Sequence, residues 1–180
     1  MAPKQPAQPR IGRWTPLQEE WYKVNVDGAV FKELGSCGIG IVIRNERGEL
    51  MGAMSKNLDI PLGALEVEAK AFEEGLQFVG DLGLKQVVLE GDAQGVTDAL
   101  MGCRSPPISI QMIIEGIKRQ KCNALVWKVN YVCRTYNMAA HLLARNAQFV
   151  SDSVVWVKDI PPFIELQVSK DVYGLDFSPV

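Results

Sequence analysis

Three acidic residues lie where a folded chain could bring them together. Asp27 follows an alternating apolar segment, Asp92 follows a short apolar run, and Glu68 borders the apolar stripe of a segment with helical period. Converging carboxylates repel one another and resist ionisation unless a cation joins them. Mg²⁺ and Mn²⁺ prefer such hard oxygen ligands, and two ions ~4 Å apart can activate a water for phosphodiester cleavage. The three residues are therefore candidate metal ligands and catalytic residues.

Each of these acids also has a simpler explanation when it is considered alone. Asp92 would serve as a helix N-cap, and Glu68 would be a solvated helix residue. Asp27 would belong to a turn with the following Gly28. The predicted topology, which brings the three acids together, favours the site.

The elements that must position these acids follow from the hydrophobic pattern. Helices follow the third and fourth strands, which makes the later strands parallel additions to a three-stranded antiparallel start. The order βββαβααβα predicts an α/β fold, a five-stranded mixed sheet with helices on its faces. The pattern predicts strands over 21–31, 37–44, 49–56, 86–90 and 124–132, and helices over 64–82, 92–101, 108–121 and 137–150.

The ends of the chain differ from the middle in composition. Residues 1–20 are rich in proline and predict a flexible N-terminal tail, and residues 21–150 predict the folded domain. Residues 151–180, which contain Pro161 and Pro162, predict an irregular C-terminal extension that packs on the domain or trails it.

Composition excludes several classes of protein. The chain has 180 residues, a net charge of −2 and no apolar run near the ~20 residues that span a bilayer. Four cysteines form no CxxC pair, and no secretory h-region is present, so we expect reduced thiols and an intracellular protein. The nucleus, the cytoplasm and an organelle interior stay open. We expect a monomer without membrane contact.

A set of sequence stretches in one order resembles a known family. They read KVNVDGA, EVEAKAFEEGL, VVLEGDAQG and VCRTYNMAAHLLARNA. Together they resemble the ribonuclease H family, especially its plant reverse-transcriptase-related branch, which derives from retroelements. The resemblance implies a ribonuclease H-like fold and an endonuclease that cuts the RNA strand of RNA–DNA hybrids. It implies two Mg²⁺ (or Mn²⁺) ions, with Asp27, Glu68 and Asp92 matching the first three acidic ligands.

The fourth ligand position departs from the family pattern R-x-x-N-x-x-A-D-x-L-A. This chain has Arg134, Asn137 and Ala140 in register, but His141 stands where the last Asp belongs. A neutral imidazole suits Mn²⁺ or Zn²⁺ better than Mg²⁺. His141 is therefore either an altered catalytic ligand or helper, or an exposed bystander.

The resemblance also implies contacts to the hybrid and leaves other functions open. The candidate substrate-binding residues are Asn25, Gly28, Gln94, Arg134 and Asn137. The alternative is a catalytically impaired nucleic-acid-binding or protein-interaction domain that retains the fold. A third possibility is a nuclease for a different nucleic acid, because one fold hosts several activities.

Overall fold

The computed structural model describes residues 17–120 and 125–173. The tail predicted over 1–16, the link at 121–124 and the end of the chain at 174–180 lie outside these described residues. The strands are β1 (Tyr22–Phe31), β2 (Ser36–Arg44), β3 (Leu50–Leu58), β4 (Gln86–Gly91), β5 (Val126–Tyr131) and β6 (Ser153–Val157). The helices are α1 (Ala64–Asp81), α2 (Gln94–Met101), α3 (Ile108–Arg119), α4 (Met138–Asn146) and α5 (Pro162–Tyr173).

One mixed sheet organises the molecule, with strand order β5-β4-β1-β2-β3-β6. β1, β2 and β3 form an antiparallel meander, and β4 and β5 add in parallel beside β1. The predicted α/β class, the meander and the parallel additions are confirmed. The predicted count of five strands is wrong, because β6 extends the sheet by pairing antiparallel to β3.

The main core lies between the sheet and α1, α2 and α3. Alternate residues of β1 and β2 face this side, and the stripe of α1 packs on them. The stripe includes Ala69, Phe72, Leu76 and Val79, all buried, which is the helical spacing that the sequence predicts.

The opposite face of the sheet carries α4 at very short range. A Cβ placed on Gly40 would lie 2.0 Å from the carbonyl oxygen of Ala140, and one on Gly38 would lie 2.2 Å from that of Ala144. Only glycine at these two positions of β2 lets α4 approach so closely. This contact fixes the helix that carries His141.

The C-terminal segment is more regular than the sequence predicts. Ser153–Val157 forms β6, whose β-branched and aromatic residues suit a strand. Pro162 opens α5, where a missing N–H is harmless because the first helical turn leaves its N–H groups unbonded. Ile164 and Val168 of α5 are buried against the sheet and α4. The prediction of an irregular extension is wrong here, while the division at residue 150 stays a prediction.

Among the helices of the described ranges, none has the length and apolar content needed to cross a membrane.

Candidate metal centre

Neighbouring parallel strands place two of the three acids side by side. Asn25 of β1 lies opposite Glu90 of β4, and Asp27 and Asp92 each follow two residues later. Because side chains alternate along a strand, Asp27 keeps the same face as Asn25. Asp92 comes just after the end of β4, at the carboxyl edge where such sheets carry sites.

Glu68 joins the other two acids from α1. A Cβ on Gly28 would lie 2.9 Å from the carbonyl carbon of Val67, so glycine lets α1 approach β1 at this point. One carboxylate oxygen from each of Asp27, Glu68 and Asp92 lies within 4.8 Å of the others. Gly28 therefore has a packing role in this arrangement.

Two carboxylate oxygens of this cluster are buried without a protein donor. Asp27 is fully buried, and its Oδ1 has no hydrogen-bond partner in the described part of the chain. The same holds for Oε2 of Glu68. Buried polar atoms in proteins are nearly always bonded, so two orphaned acceptors in one cluster require an explanation. A bound cation would satisfy both.

The electrostatics of the cluster agree with this explanation. Burial, followed by repulsion from the charge of Asp92, raises the pKa of Asp27 to about 6, although His141 opposes the rise. Burial, followed by the charges of Asp27 and Asp92, raises the pKa of Glu68 to about 9. A divalent cation between these groups would favour their charged forms and reverse both shifts.

His141 lies beside the first acid. Its Nδ1 is 2.8 Å from Oδ2 of Asp27, and its side chain is 24% exposed. The side-chain amide of Asn137 donates to the backbone carbonyl of Val26 at 2.8 Å, which ties the start of α4 to β1. His141 therefore lies against the cluster, and its role as a ligand or helper stays a prediction.

Asp92 is held by an arginine and does not cap a helix. Nε of Arg134 donates to its Oδ2 at 3.1 Å, and this bond raises the pKa of Arg134. The N-cap position of α2 is Ala93, where no side chain forms a capping bond. The simpler explanation of Asp92 as a cap is therefore wrong. The Arg134 side chain is 60% exposed, so it is also open to an approaching ligand.

Two predicted substrate contacts are contradicted by burial. Asn25 and Asn137 are each 1% exposed. The amide of Asn25 donates to Glu90, and its carbonyl accepts from Arg44. Asn137 lies at the start of α4, where its side-chain amide donates to the backbone carbonyl of Val26. Both asparagines therefore organise the fold beneath the site. Gln94 is exposed at the start of α2 and stays a predicted contact.

Sequence reasoning missed a second polar cluster next to the acids. Lys23, Arg44 and Glu90 are buried, and Asp171 of α5 reaches them from above the sheet. The available signal was Arg44, a charge at the end of the apolar run of β2. Its partner Asp171 lies 127 residues away, beyond the reach of local patterns.

The donor set of the acidic cluster fits a hard divalent cation. In the part of the chain that the structure describes, three carboxylates meet one ion-paired guanidinium, and two of their buried oxygens lack hydrogen-bond donors. Oxygen-rich sets of this kind suit Mg²⁺ and Mn²⁺, and an imidazole nitrogen shifts the preference toward Mn²⁺.

Solved structures share this fold. RNase H1 from the archaeon Halobacterium salinarum NRC-1 is 22% identical, with a TM-score of 0.65 over 72% of this chain and 98% of that chain. The N-terminal RNase H domain of Rv2228c from Mycobacterium tuberculosis is 16% identical, with a TM-score of 0.65 over 72% and 94%. LC11-RNase H1 from compost, in complex with an RNA/DNA hybrid, is 18% identical, with a TM-score of 0.64 over 70% and 95%.

Of the two sequence comparisons, one finds a match. No curated protein matches the sequence. A family model described as reverse transcriptase-like matches residues 25–147, which include the whole acidic cluster and more than half of the chain. The chain therefore belongs to this reverse transcriptase-like, ribonuclease H-like family.

Proposed function

We propose that the protein is a metal-dependent endonuclease that hydrolyses the RNA strand of RNA–DNA hybrids. The observation that carries the proposal is the cluster of Asp27, Glu68 and Asp92, with oxygens within 4.8 Å of one another and two buried acceptors lacking donors in the described residues. The fold shared with an RNase H1 solved on an RNA/DNA hybrid supports the substrate class.

The proposed cofactor is a pair of Mg²⁺ or Mn²⁺ ions. Asp27, Glu68 and Asp92 would hold them, and His141 would add a nitrogen ligand or move a proton beside Asp27. The chemistry that such ions supply when bound is activation of a water and stabilisation of the leaving oxygen. Burial of Asp27 keeps bulk water away from one side of the site.

Substrate contacts are proposed for the exposed residues around this cluster. Arg134 reaches over Asp92 with most of its side chain in solvent, so its guanidinium can also meet a phosphate. Gln94 is exposed two residues beyond Asp92 and can bond a 2′-hydroxyl or a base edge. With few cations near the site in the described residues, we expect weak hybrid binding with a shallow salt dependence, because few counterions are released.

The test is cleavage of a labelled RNA–DNA hybrid, first with Mg²⁺ and then with Mn²⁺. We expect the wild-type protein to cut the RNA strand and Asp27→Asn to lose at least about a thousandfold in rate, because metal-ion stabilisation of the transition state amounts to several kcal/mol. Glu68→Gln should behave like Asp27→Asn, whereas Glu66→Gln on the same helix should keep activity. Equal product from wild type and Asp27→Asn would overturn the proposal.

Duplex DNA, single-stranded RNA and duplex RNA complete the experiment. Preferential cutting of the hybrid supports the proposed substrate class. Faster cutting of another nucleic acid would support nuclease activity but contradict the RNA–DNA hybrid as the substrate.

A second candidate function is a catalytically impaired domain that binds hybrids. The observation that favours it is His141, whose Nδ1 bonds Asp27 at the position where the family pattern has a carboxylate. This candidate predicts that the wild-type protein binds the hybrid in a mobility-shift assay and leaves it intact with both metals.

A further inference from the structure

Strand β6 forms one edge of the sheet, and its exposed residues are unusually apolar for an edge strand. Its sequence SVVWV contains no charge, and Val154, Val155 and Val157 are 39%, 45% and 54% exposed. Within residues 17–120 and 125–173, no strand pairs with its outer side. Natural sheets usually protect an edge with charges, prolines or bulges, so an exposed valine edge indicates a partner strand.

The opposite edge of the same sheet shows the usual protection. β5 carries Lys128 in its middle, and the ammonium lies 4.5 Å from the ring centroid of Trp21. A charge in the middle of an edge strand discourages pairing with another chain. The two edges of one sheet therefore differ in their readiness to accept a partner.

Hydrogen bonds at both ends of β6 show which backbone groups stay free. The carbonyl of Asp152 accepts from the amide of Asn57 at 2.7 Å, and the amide of Lys158 donates to Met51 at 3.2 Å. In an antiparallel ladder, bonding residues alternate along the strand. Residues 154 and 156 therefore bond β3, while Ser153, Val155 and Val157 direct their N–H and C=O groups outward.

We propose that β6 pairs with β6 of a second copy of this chain. The strands run antiparallel about a two-fold axis at Val155, and the two sheets become one. In this register Val155 bonds Val155 of the second copy, and Ser153 bonds Val157 of the second copy. All three residues with outward backbone groups find partners, so the edge is complementary to itself.

The charges that flank β6 favour the same register. In this register Asp152 of one copy lies near Lys158 of the other, just beyond the strand ends, where Lys158 has a positive φ of 55°, and the symmetry repeats this pair. A cross-strand pair of opposite charges stabilises an antiparallel register, whereas like charges destabilise it. The order acid, apolar strand, base is therefore compatible with antiparallel self-pairing and favours it over a register that places like charges opposite each other.

Apolar surface beside β6 extends the interface. Phe163 of α5 packs edge-on against Trp156, with ring centroids 6.0 Å apart, and stays 44% exposed. Leu166 of the same helix is 56% exposed. A two-fold axis perpendicular to the sheet puts both α5 helices on one side of the joined sheet. These side chains then flank the joined strands. The proposed dimer differs from the monomer that the sequence analysis predicts.

Sedimentation velocity of the full chain over a range of concentrations tests the proposal. We expect a monomer–dimer equilibrium that Val155→Lys weakens at least about tenfold, because the axis places two like charges opposite each other. Val126→Lys is the matched control on β5, where Val126 is 52% exposed, and should leave dimerisation unchanged. Equal melting temperatures show that both variants fold.

A charge exchange tests the register itself. Asp152→Lys and Lys158→Asp should each weaken the dimer, and the double variant should restore it. A monomer at every concentration would overturn the proposal. It would mean that the edge of β6 pairs with another protein or with nothing. A dimer that Val155→Lys leaves intact, or charge variants without effect, would also overturn it.

Discussion

Two polar clusters lie on the same strands and are built in opposite ways. Asn25 and Glu90 belong to a buried network, and two residues further along the same strands Asp27 and Asp92 belong to the acidic cluster. Both clusters are at least partly removed from water, so both carry a desolvation cost. They differ in how their charges are balanced.

The buried network balances its own charges. Arg44 bonds Asp171 at 2.8 Å, and Lys23 lies 3.4 Å from Glu90. Asn25 joins the two pairs, because it accepts from Arg44 and donates to Glu90. Two cations and two anions leave no net charge, so this network balances its charge within the protein, although Nε of Arg44 is buried without a hydrogen-bond partner among the described residues. The network fixes β1, β4 and α5 relative to one another.

The acidic cluster does not balance its charges. Three carboxylates share one mostly exposed arginine, and Oδ1 of Asp27 and Oε2 of Glu68 have no donors within the described ranges. A buried excess of like charge raises pKa values and lowers stability unless a ligand offsets it. The charge-balanced network therefore has a structural role, whereas the uncompensated carboxylates of the acidic cluster support the proposed cation site.

The largest expected effect comes from breaking the charge-balanced network. Arg44→Met leaves Asp171 without its ion-pair partner and Asn25 without its donor, so we expect a loss of about 3–5 kcal/mol in the free energy of unfolding. Urea denaturation measures this. The control is Arg47→Met, which removes an exposed pair with Glu49 and should cost about 0–1 kcal/mol. Equal losses in the two variants would refute the structural role of the network.

Removing one carboxyl group from the acidic cluster should change the free energy of unfolding in the opposite direction. With a chelator present at neutral pH, Glu68→Gln should raise the free energy of unfolding by roughly 1–3 kcal/mol, because it deletes a carboxyl that burial and repulsion disfavour. The same urea experiment measures it, with Glu66→Gln as the control. A lower free energy of unfolding for Glu68→Gln would show that groups of the protein already stabilise this carboxyl without a cation.

The stability of the metal-free protein should depend on pH through the same groups. The folded pKa values of Asp27 and Glu68 are raised to about 6 and about 9. Raised acids contribute stability below their ordinary pKa values and lose it as pH rises through the folded values. We therefore expect the free energy of unfolding to fall from about pH 5 to about pH 9. Divalent cations should flatten this slope, and a slope that Glu68→Gln leaves unchanged would contradict the assignment.

The smallest expected effect concerns the fourth position. His141→Asp adds a carboxylate beside Asp27 and should raise Mg²⁺-dependent cleavage of the hybrid about tenfold, because a hard ion gains an oxygen ligand. His141→Asn has the same shape without the charge and should give no gain. If the two variants cut at the same rate, His141 is a bystander.

Local patterns in the sequence predict much of the fold. The stripe of α1 and the alternation of β1 follow directly from burial on one side, and Gly83 ends α1 at a positive φ of 71°. The convergence of Asp27, Glu68 and Asp92 follows from strand order together with the family resemblance. These features depend on spacing along the chain.

Two of the errors, the role of Asn25 and the missing helix α5, originate in the second face of the sheet. The family resemblance implies Asn25 as a substrate contact, but a resemblance does not show which side chains of β1 a later helix covers. In the structure α4 and α5 cover this face, and Asn25 bonds Arg44 and Glu90 there. Burial of a strand by a helix that is distant in sequence leaves no periodic pattern in the strand's own residues. The same cover explains why α5 was missed, since only Ile164 and Val168 of that helix are buried.

Calorimetric titration of the chelator-treated protein with Mn²⁺ and Mg²⁺ tests the central claim most directly. We predict that the wild-type protein binds both ions, Mn²⁺ more tightly, and that Glu66→Gln does the same. Glu68→Gln should lose at least about tenfold in affinity, as expected for the loss of one charged ligand. Undetectable binding by the wild type, or equal binding by Glu68→Gln, would contradict the assignment of the acidic cluster as a metal centre.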